Sequence, residues 1–315
     1  MSSISLQSMQ NYLSRSITSL NQNKLNGLLA EVDFRNYLAN IGFAQKISMG
    51  GWIARSEGQN TFGHQTAVFF PTTIQPNQIY PPNSPIPSPP LGLHTMCATF
   101  HQIGIRSYHC AATVNVQNNP LSIQWHYTEL GIPNQSPYQL FPSGIPGFNP
   151  RPRNYNFLRY NTDISGIPLQ HLPEEFSKEH LRVSFQTKFL SEISDVDGIL
   201  WGQQWTYPLE IKEKTVARDN RVGYYFGLDL GPFVKLAFYA AKRGNLHSIF
   251  VVREIDNTIN RNLINWWFIK LDTLAQYASW VPQGGGQNMQ GGKSTVVKIP
   301  RAEFQALNAT TLSQL

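Results

Sequence analysis

Residues 196–212 read VDGILWGQQWTYPLEIK. It holds two apolar runs, VDGILW and YPLEIK, joined by a GQQ turn region. Short runs of this kind with a turn signal between them predict two successive strands. In the second run, residues two apart share a face, so Glu210 and Lys212 project together while Leu209 and Ile211 point the other way. Asp197 stands at the head of the first run. If the strands pair as neighbours, Asp197, Glu210 and Lys212 meet on one face.

Downstream, Asp229 and Pro232 mark a helix start, and PFVKLAFYAAKRG is amphipathic up to Gly244. HSIFVVREI, 247–255, is an apolar, β-branched run of the buried-strand type, and WWFIKL predicts another strand. QGGGQNMQGGK, 283–293, reads as a flexible loop, and STVVKIP as a last strand before a C-terminal helix. Upstream, LRVSFQTKFL from Leu181 is expected to be a strand as well. Strands, a helix and a strand in this order predict a mixed α/β core.

Towards the N-terminus, apolar spacing predicts helices over 6–22 and 25–40, with Gly42 as a stop, then strands near 50–55 and 66–70. The prolines of PTTIQPNQIYPPNSPIPSPPLG, 71–92, predict an extended crossing segment. HTMCATFHQIGI, CAATVNVQ and LSIQWHY, within 93–127, all read as strand-like. Residues 131–175 are rich in Pro, Gly and Asn, with a basic-aromatic knot, RPRNYNFLRY, at 151–160. No internal repeat is visible. The expected organisation has three parts. Residues 1–56 hold the N-terminal helices and the start of the core, 57–180 an inserted β- and loop-rich region, and 181–315 the catalytic core with C-terminal elements.

The 315 residues are 41% hydrophobic and 14% charged, too apolar for a disordered chain and too poor in charge for a coiled coil. A net charge of +6 suits a polyanionic partner. Two cysteines, Cys97 and Cys110, make no disulfide framework, and with His101 and His109 they fit no common zinc spacing. A reducing cytoplasm is the expected compartment. No run of about 18 apolar residues predicts a membrane span, and Met1–Ser19 has no apolar stretch of signal-peptide length.

Two carboxylates and an ammonium on one sheet face suit Mg2+, a hard cation that takes one or two protein carboxylates, waters and a phosphate. Such a site polarises a scissile phosphate and activates water, while Lys212 stabilises developing negative charge.

The arrangement VDG…LEIK resembles the PD-(D/E)XK nuclease superfamily. GLLAEVDFRNYLANIGF, 27–43, resembles the first helix of archaeal Holliday-junction resolvases and many restriction enzymes, through Gly27, Glu31, Leu38 and Gly42-Phe43. A helix and a buried strand after the ExK strand complete the likeness, which covers about 25–56 and 181–255. It implies a restriction-endonuclease-like core and a type II restriction endonuclease, hydrolysing double-stranded DNA with Mg2+ at a short specific sequence. Asp197 and Glu210 would hold the metal, Lys212 would act at the transition state, and Glu31 would assist. Asp195 on the strand and Asp33 on the helix stand as alternatives.

The long segment 57–180 then becomes the DNA-recognition region. Its amide side chains can read adenine, and Arg106, Arg151 and Arg153 can read guanine or hold phosphate. Lys214, Arg218 and Arg221, just past the ExK strand, are expected phosphate contacts. A palindromic site implies a homodimer, and a restriction system implies a cognate DNA methyltransferase. The rival readings are a structure-specific or repair nuclease, a non-catalytic DNA-binding module, and a carbohydrate- or protein-binding β-rich protein.

Overall fold

The computed structural model describes residues 2–56, 66–82, 85, 89, 91–133, 136–141, 148–241, 247–278, 281–284 and 293–315. The chain divides into two compact units, Met1–Leu25 with Met49–Val196, and Asn26–Ser48 with Asp197–Leu315. These boundaries do not coincide with those expected after residues 56 and 180.

In chain order the first elements are α1 (Leu6–Ser16), α2 (Gln22–Asn40), β1 (Gly51–Ser56), β2 (Thr66–Pro71) and α3 (Leu91–Gln102). There follow β3 (Arg106–Val114), β4 (Ile123–Leu130), β5 (Gln139–Leu140), β6 (Asn149–Pro150), α4 (Leu172–Lys188) and β7 (Phe189–Val196). The next are β8 (Gly198–Trp201), β9 (Thr206–Lys214), β10 (Ala217–Asp219), β11 (Gly223–Asp229) and α5 (Leu230–Ala240). Last come β12 (Ile249–Ile255), β13 (Leu263–Lys270), α6 (Leu271–Gln276), β14 (Val281–Gly284), β15 (Lys293–Pro300), β16 (Gln305–Ala306) and α7 (Ala309–Ser313).

The first unit is built on a seven-stranded sheet in the order β5-β4-β3-β2-β1-β7-β6. β2 and β3 run parallel, with α3 as their crossover. Here two sequence expectations are corrected. HTMCATFHQ is helix α3, not strand: its buried residues Leu93, Met96, Cys97 and Phe100 follow the i, i+3, i+4, i+7 spacing of one helical face. LRVSFQTK is the second half of α4, which starts at Leu172 with Pro173 and the acidic pair Glu174-Glu175 in its first turn. The period-two apolar residues Val183 and Phe185 imitate a strand, but only FL of that segment enters β7.

The second unit is mixed α/β, with a central mixed sheet flanked by helices. Its five-stranded sheet has the order β16-β13-β12-β9-β8; β9 and β12 are parallel, and α5 lies between them in the chain. Register sets Leu209 beside Ile249 and Ile211 beside Val251 on one face, and Glu210 beside Phe250 and Lys212 beside Val252 on the other. The first face is covered by Ala30, Phe34 and Leu38 of α2, together with Leu307, Leu312 and Leu315. Phe233 and Leu236 of α5, Leu274 of α6, and Phe226, Leu228, Val297 and Ile299 of a second sheet, β10-β11-β15-β14, cover the other. At about 25 cal/mol per Å2 of apolar surface, these two layers are the main force ordering the strands that carry Asp197 and Glu210. Residues 242–244, the expected end of the α5 helix, and 285–292, most of the expected Gly-rich loop, lie outside the described residues.

Candidate active site

Asp197 follows β7 and immediately precedes β8. Gly198 pairs with Leu209, so Asp197 stands one step further along the same register, opposite Glu210. Both side chains are buried, Asp197 at 2% and Glu210 at 1% exposure. The Ile211 N–H donates to Asp197 Oδ2 at 2.7 Å, a charge-assisted bond that ties the carboxylate to the neighbouring strand. Asp195, by contrast, is exposed on β7. Of the two aspartates left open by the sequence, Asp197 is the one buried opposite Glu210.

A buried carboxylate must be paired. Lys212 Nζ lies 2.6 Å from Glu210 Oε1, as two residues of one strand face should. Lys235 Nζ lies 2.5 Å from Oε2, a charge contact whose angles fall outside those of a hydrogen bond. Lys235 comes from α5, where it is the only charged residue between Leu230 and Ala240. Sequence reading passed over it. The available signal was this single lysine in a helix otherwise made of apolar and small residues.

Lys214 continues the same face of β9. Burial pulls its ammonium below the ordinary lysine value and Lys212 adds to that, while Asp229 and Glu210 oppose it. The site is therefore a strip in which two carboxylates and three ammonium groups lie on or beside β9.

Glu31 belongs to α2, which packs through Ala30, Phe34 and Leu38 on the opposite face of the sheet from Glu210. Among the described residues no group of three or more His, Cys, Asp or Glu side chains comes together. Asp33, the other helix acid, lies 3.1 Å from Arg253 Nε on that opposite face. There Arg253 and Arg261 share buried Glu213, with Arg253 Nη1 2.8 Å and Arg261 Nη2 2.7 Å from its Oε2. That cluster ties α2 to the strands and leaves Asp33 committed to structure.

The expected DNA contacts are scattered. Arg218 and Arg221 sit together on the β10–β11 hairpin, both exposed, with Arg218 5.9 Å from the centre of the Tyr224 ring. Arg106, at the start of β3, forms a two-pronged pair with Glu129 at 3.1 and 2.8 Å. Arg151 stacks on Tyr155, and Arg153 is exposed beside it. Cys97 and Cys110 are buried free thiols, their pKa values pushed up by burial. His109 shares hydrogen bonds with Thr72 and Tyr138.

Two buried, opposed carboxylates with ammonium groups beside them can neutralise a cation, orient a phosphate and stabilise an anionic transition state. No family model, curated protein or solved structure matches this chain.

Proposed function

We propose that this chain is a Mg2+-dependent endonuclease acting on double-stranded DNA, with a restriction-endonuclease-like core in its second unit. The observation that carries the reading is the burial of Asp197 and Glu210 opposite one another on adjacent strands, with Lys212 on the Glu210 carboxylate. Buried carboxylates are retained against a large desolvation penalty, and clusters of this kind concentrate where charge chemistry is done.

The donor set fits Mg2+: two hard carboxylates from the protein, with water and phosphate completing the shell. Asp197 and Glu210 would hold the ion, which when bound supplies Lewis acidity at the phosphate and eases deprotonation of the attacking water. Lys212, on the same strand face, offers its ammonium to the phosphate oxygens as negative charge grows on them. Lys235 sets its ammonium against the second oxygen of Glu210, and Asp197 is held by the Ile211 N–H. Glu31 would assist, as the resemblance implies, from helix α2, whose Ala30, Phe34 and Leu38 pack on the Leu209 face of the sheet. Arg218, Arg221 and Lys214 are the phosphate contacts, and a twofold dimer would supply one site for each strand of the duplex. Cleavage at one short sequence, and a cognate DNA methyltransferase in the same system, complete the restriction reading.

The test is incubation of the full chain with plasmid or phage DNA and Mg2+, beside Asp197→Ala and Lys212→Ala. Discrete fragments from the wild type, absent with both variants, are expected. Unchanged cutting by Asp197→Ala would sink this assignment.

A further inference from the structure

The first unit carries a groove of about 550 Å3, a size suited to a small-molecule or nucleotide ligand. Its floor is Trp125, 1% exposed. The indole N–H donates to His180 Nδ1 at 2.9 Å, and His180 Nε2 lies 2.9 Å from the Pro120 carbonyl oxygen. The indole N–H and the imidazole beneath the groove are thus satisfied within the fold. One wall is the basic-aromatic segment after β6, from which Tyr155 and Phe157 line the cavity. Their rings stack at 6.0 Å with planes 29° apart. The Arg151 guanidinium lies 4.3 Å from the Tyr155 ring centre, and its buried Nε has no hydrogen-bond partner among the described residues.

Exposure and charge point to the occupant. Tyr155 is 53% exposed, and Leu121 and Leu140, both exposed, line the same groove. Large apolar side chains gathered in the open around one cavity mark a binding surface. Among the described residues no acidic one lines it; Lys188 does, and Arg151, Arg153 and Arg159 belong to the adjoining segment. Aromatic planes with cations and no anions match a ligand that is both a flat ring and an anion. We infer that the groove receives an unstacked base of a DNA strand, the base against Tyr155 and Phe157 and the flanking phosphates at Arg151 and Lys188. This rests on DNA as the polymer bound, as in the proposed function, but not on the cleavage chemistry.

The experiment uses the full chain in EDTA, so that cutting has no bearing on the readout. A single-stranded oligothymidylate carrying one 5-iodouracil is irradiated with the protein, and the cross-linked peptides are mapped by mass spectrometry. In parallel, the affinity of the fluorescein-labelled strand is measured by anisotropy for wild type, Tyr155→Ala and Tyr155→Trp. Cross-links at Tyr155 or Phe157 are expected. Tyr155→Ala should weaken binding about tenfold, and Tyr155→Trp should hold it within about twofold, as base stacking requires. Tyr155 is exposed, and circular dichroism checks that the variants fold. Cross-links found only elsewhere, no binding by the wild type, or equal affinity for Tyr155→Ala would overturn the inference. So would a change in sedimentation of the protein alone on Tyr155→Ala, which would make the groove a self-association surface. Loss of plasmid cutting with these results intact would count against the nuclease reading only.

Discussion

Replacing Lys235 by methionine removes one of two ammonium groups from a carboxylate that is 1% exposed. Breaking a buried ion pair costs about 3–5 kcal/mol when one charge is left without compensation. Glu210 keeps Lys212 at 2.6 Å on its other oxygen, so roughly half of that range, about 2 kcal/mol, is expected for Lys235→Met. Lys212 is itself 34% exposed on its side chain and is screened by water, so Lys212→Met should cost less, about 1 kcal/mol. Pairing Lys235→Met with Glu210→Gln removes both charges of the contact. The double variant should recover at least about 1 kcal/mol relative to the sum of the singles. Urea unfolding followed by tryptophan fluorescence reads this in the right part of the molecule. Among the described residues, Trp201, Trp205, Trp266 and Trp267 belong to the second unit, and Trp52 and Trp125 to the first. A Lys235→Met variant within about 0.5 kcal/mol of wild type, or additive losses in the double variant, would show that Lys235 does not compensate the buried Glu210 charge.

Glu213→Ala takes the shared acceptor from Arg253 and Arg261 and leaves two half-buried cations facing each other, so a loss of about 3 kcal/mol is expected in the same unfolding assay. Burial pushes His109 and His180 down to about 4 from an ordinary value near 6.5, so the folded chain keeps both neutral where the unfolded chain takes up protons. That stability is present above about pH 6.5 and is lost as the pH falls towards 4. Urea midpoints between pH 7 and 4.5 should decline, and His109→Gln should flatten the slope. Arg106→Ala should change duplex affinity less than about twofold, because its guanidinium is already committed to Glu129. Arg218→Ala or Arg221→Ala should instead weaken binding and lower the slope of log affinity against log salt by about one; anisotropy titrations at several salt concentrations distinguish the two.

Much of the second unit was legible because its strands are buried by local pattern. The runs VDGILW, YPLEIK and HSIFVVREI hold β8, most of β9 and β12, and the helix start at Asp229 is the N-cap of α5. Glu210 and Lys212 were placed on one face by strand period alone, and their ion pair follows from it. Asp197 needed the pairing of β8 with β9, a tertiary fact the sequence does not carry by itself. Lys235 was not legible for the same reason. A lysine in an apolar helix becomes meaningful only when the crossover from β9 to β12 lays that helix over Glu210. In the first unit, period two and period 3.6 competed. Thr95 and Thr99 gave HTMCATFHQ a strand-like composition, although its buried set has helical spacing. For α4, the deciding features, Pro173 and the acidic first turn, lie before the stretch read as strand. The side on which α2 packs was likewise invisible in sequence, and with it the separation of Glu31's helix from the Glu210 face.

If Asp197, Glu210 and Lys212 act as one hydrolytic unit, the single-turnover rate of plasmid cleavage with Mg2+ reports it. The rates to compare are those of wild type, Asp197→Asn, Glu210→Gln, Lys212→Met and the Asp197→Asn/Lys212→Met double variant. Each single change should slow cleavage by about 100-fold or more, and the double variant should be little slower than the worse single, as for groups that serve one transition state. Wild-type rates in any single variant, or no Mg2+-dependent cleavage by the wild type, would contradict it.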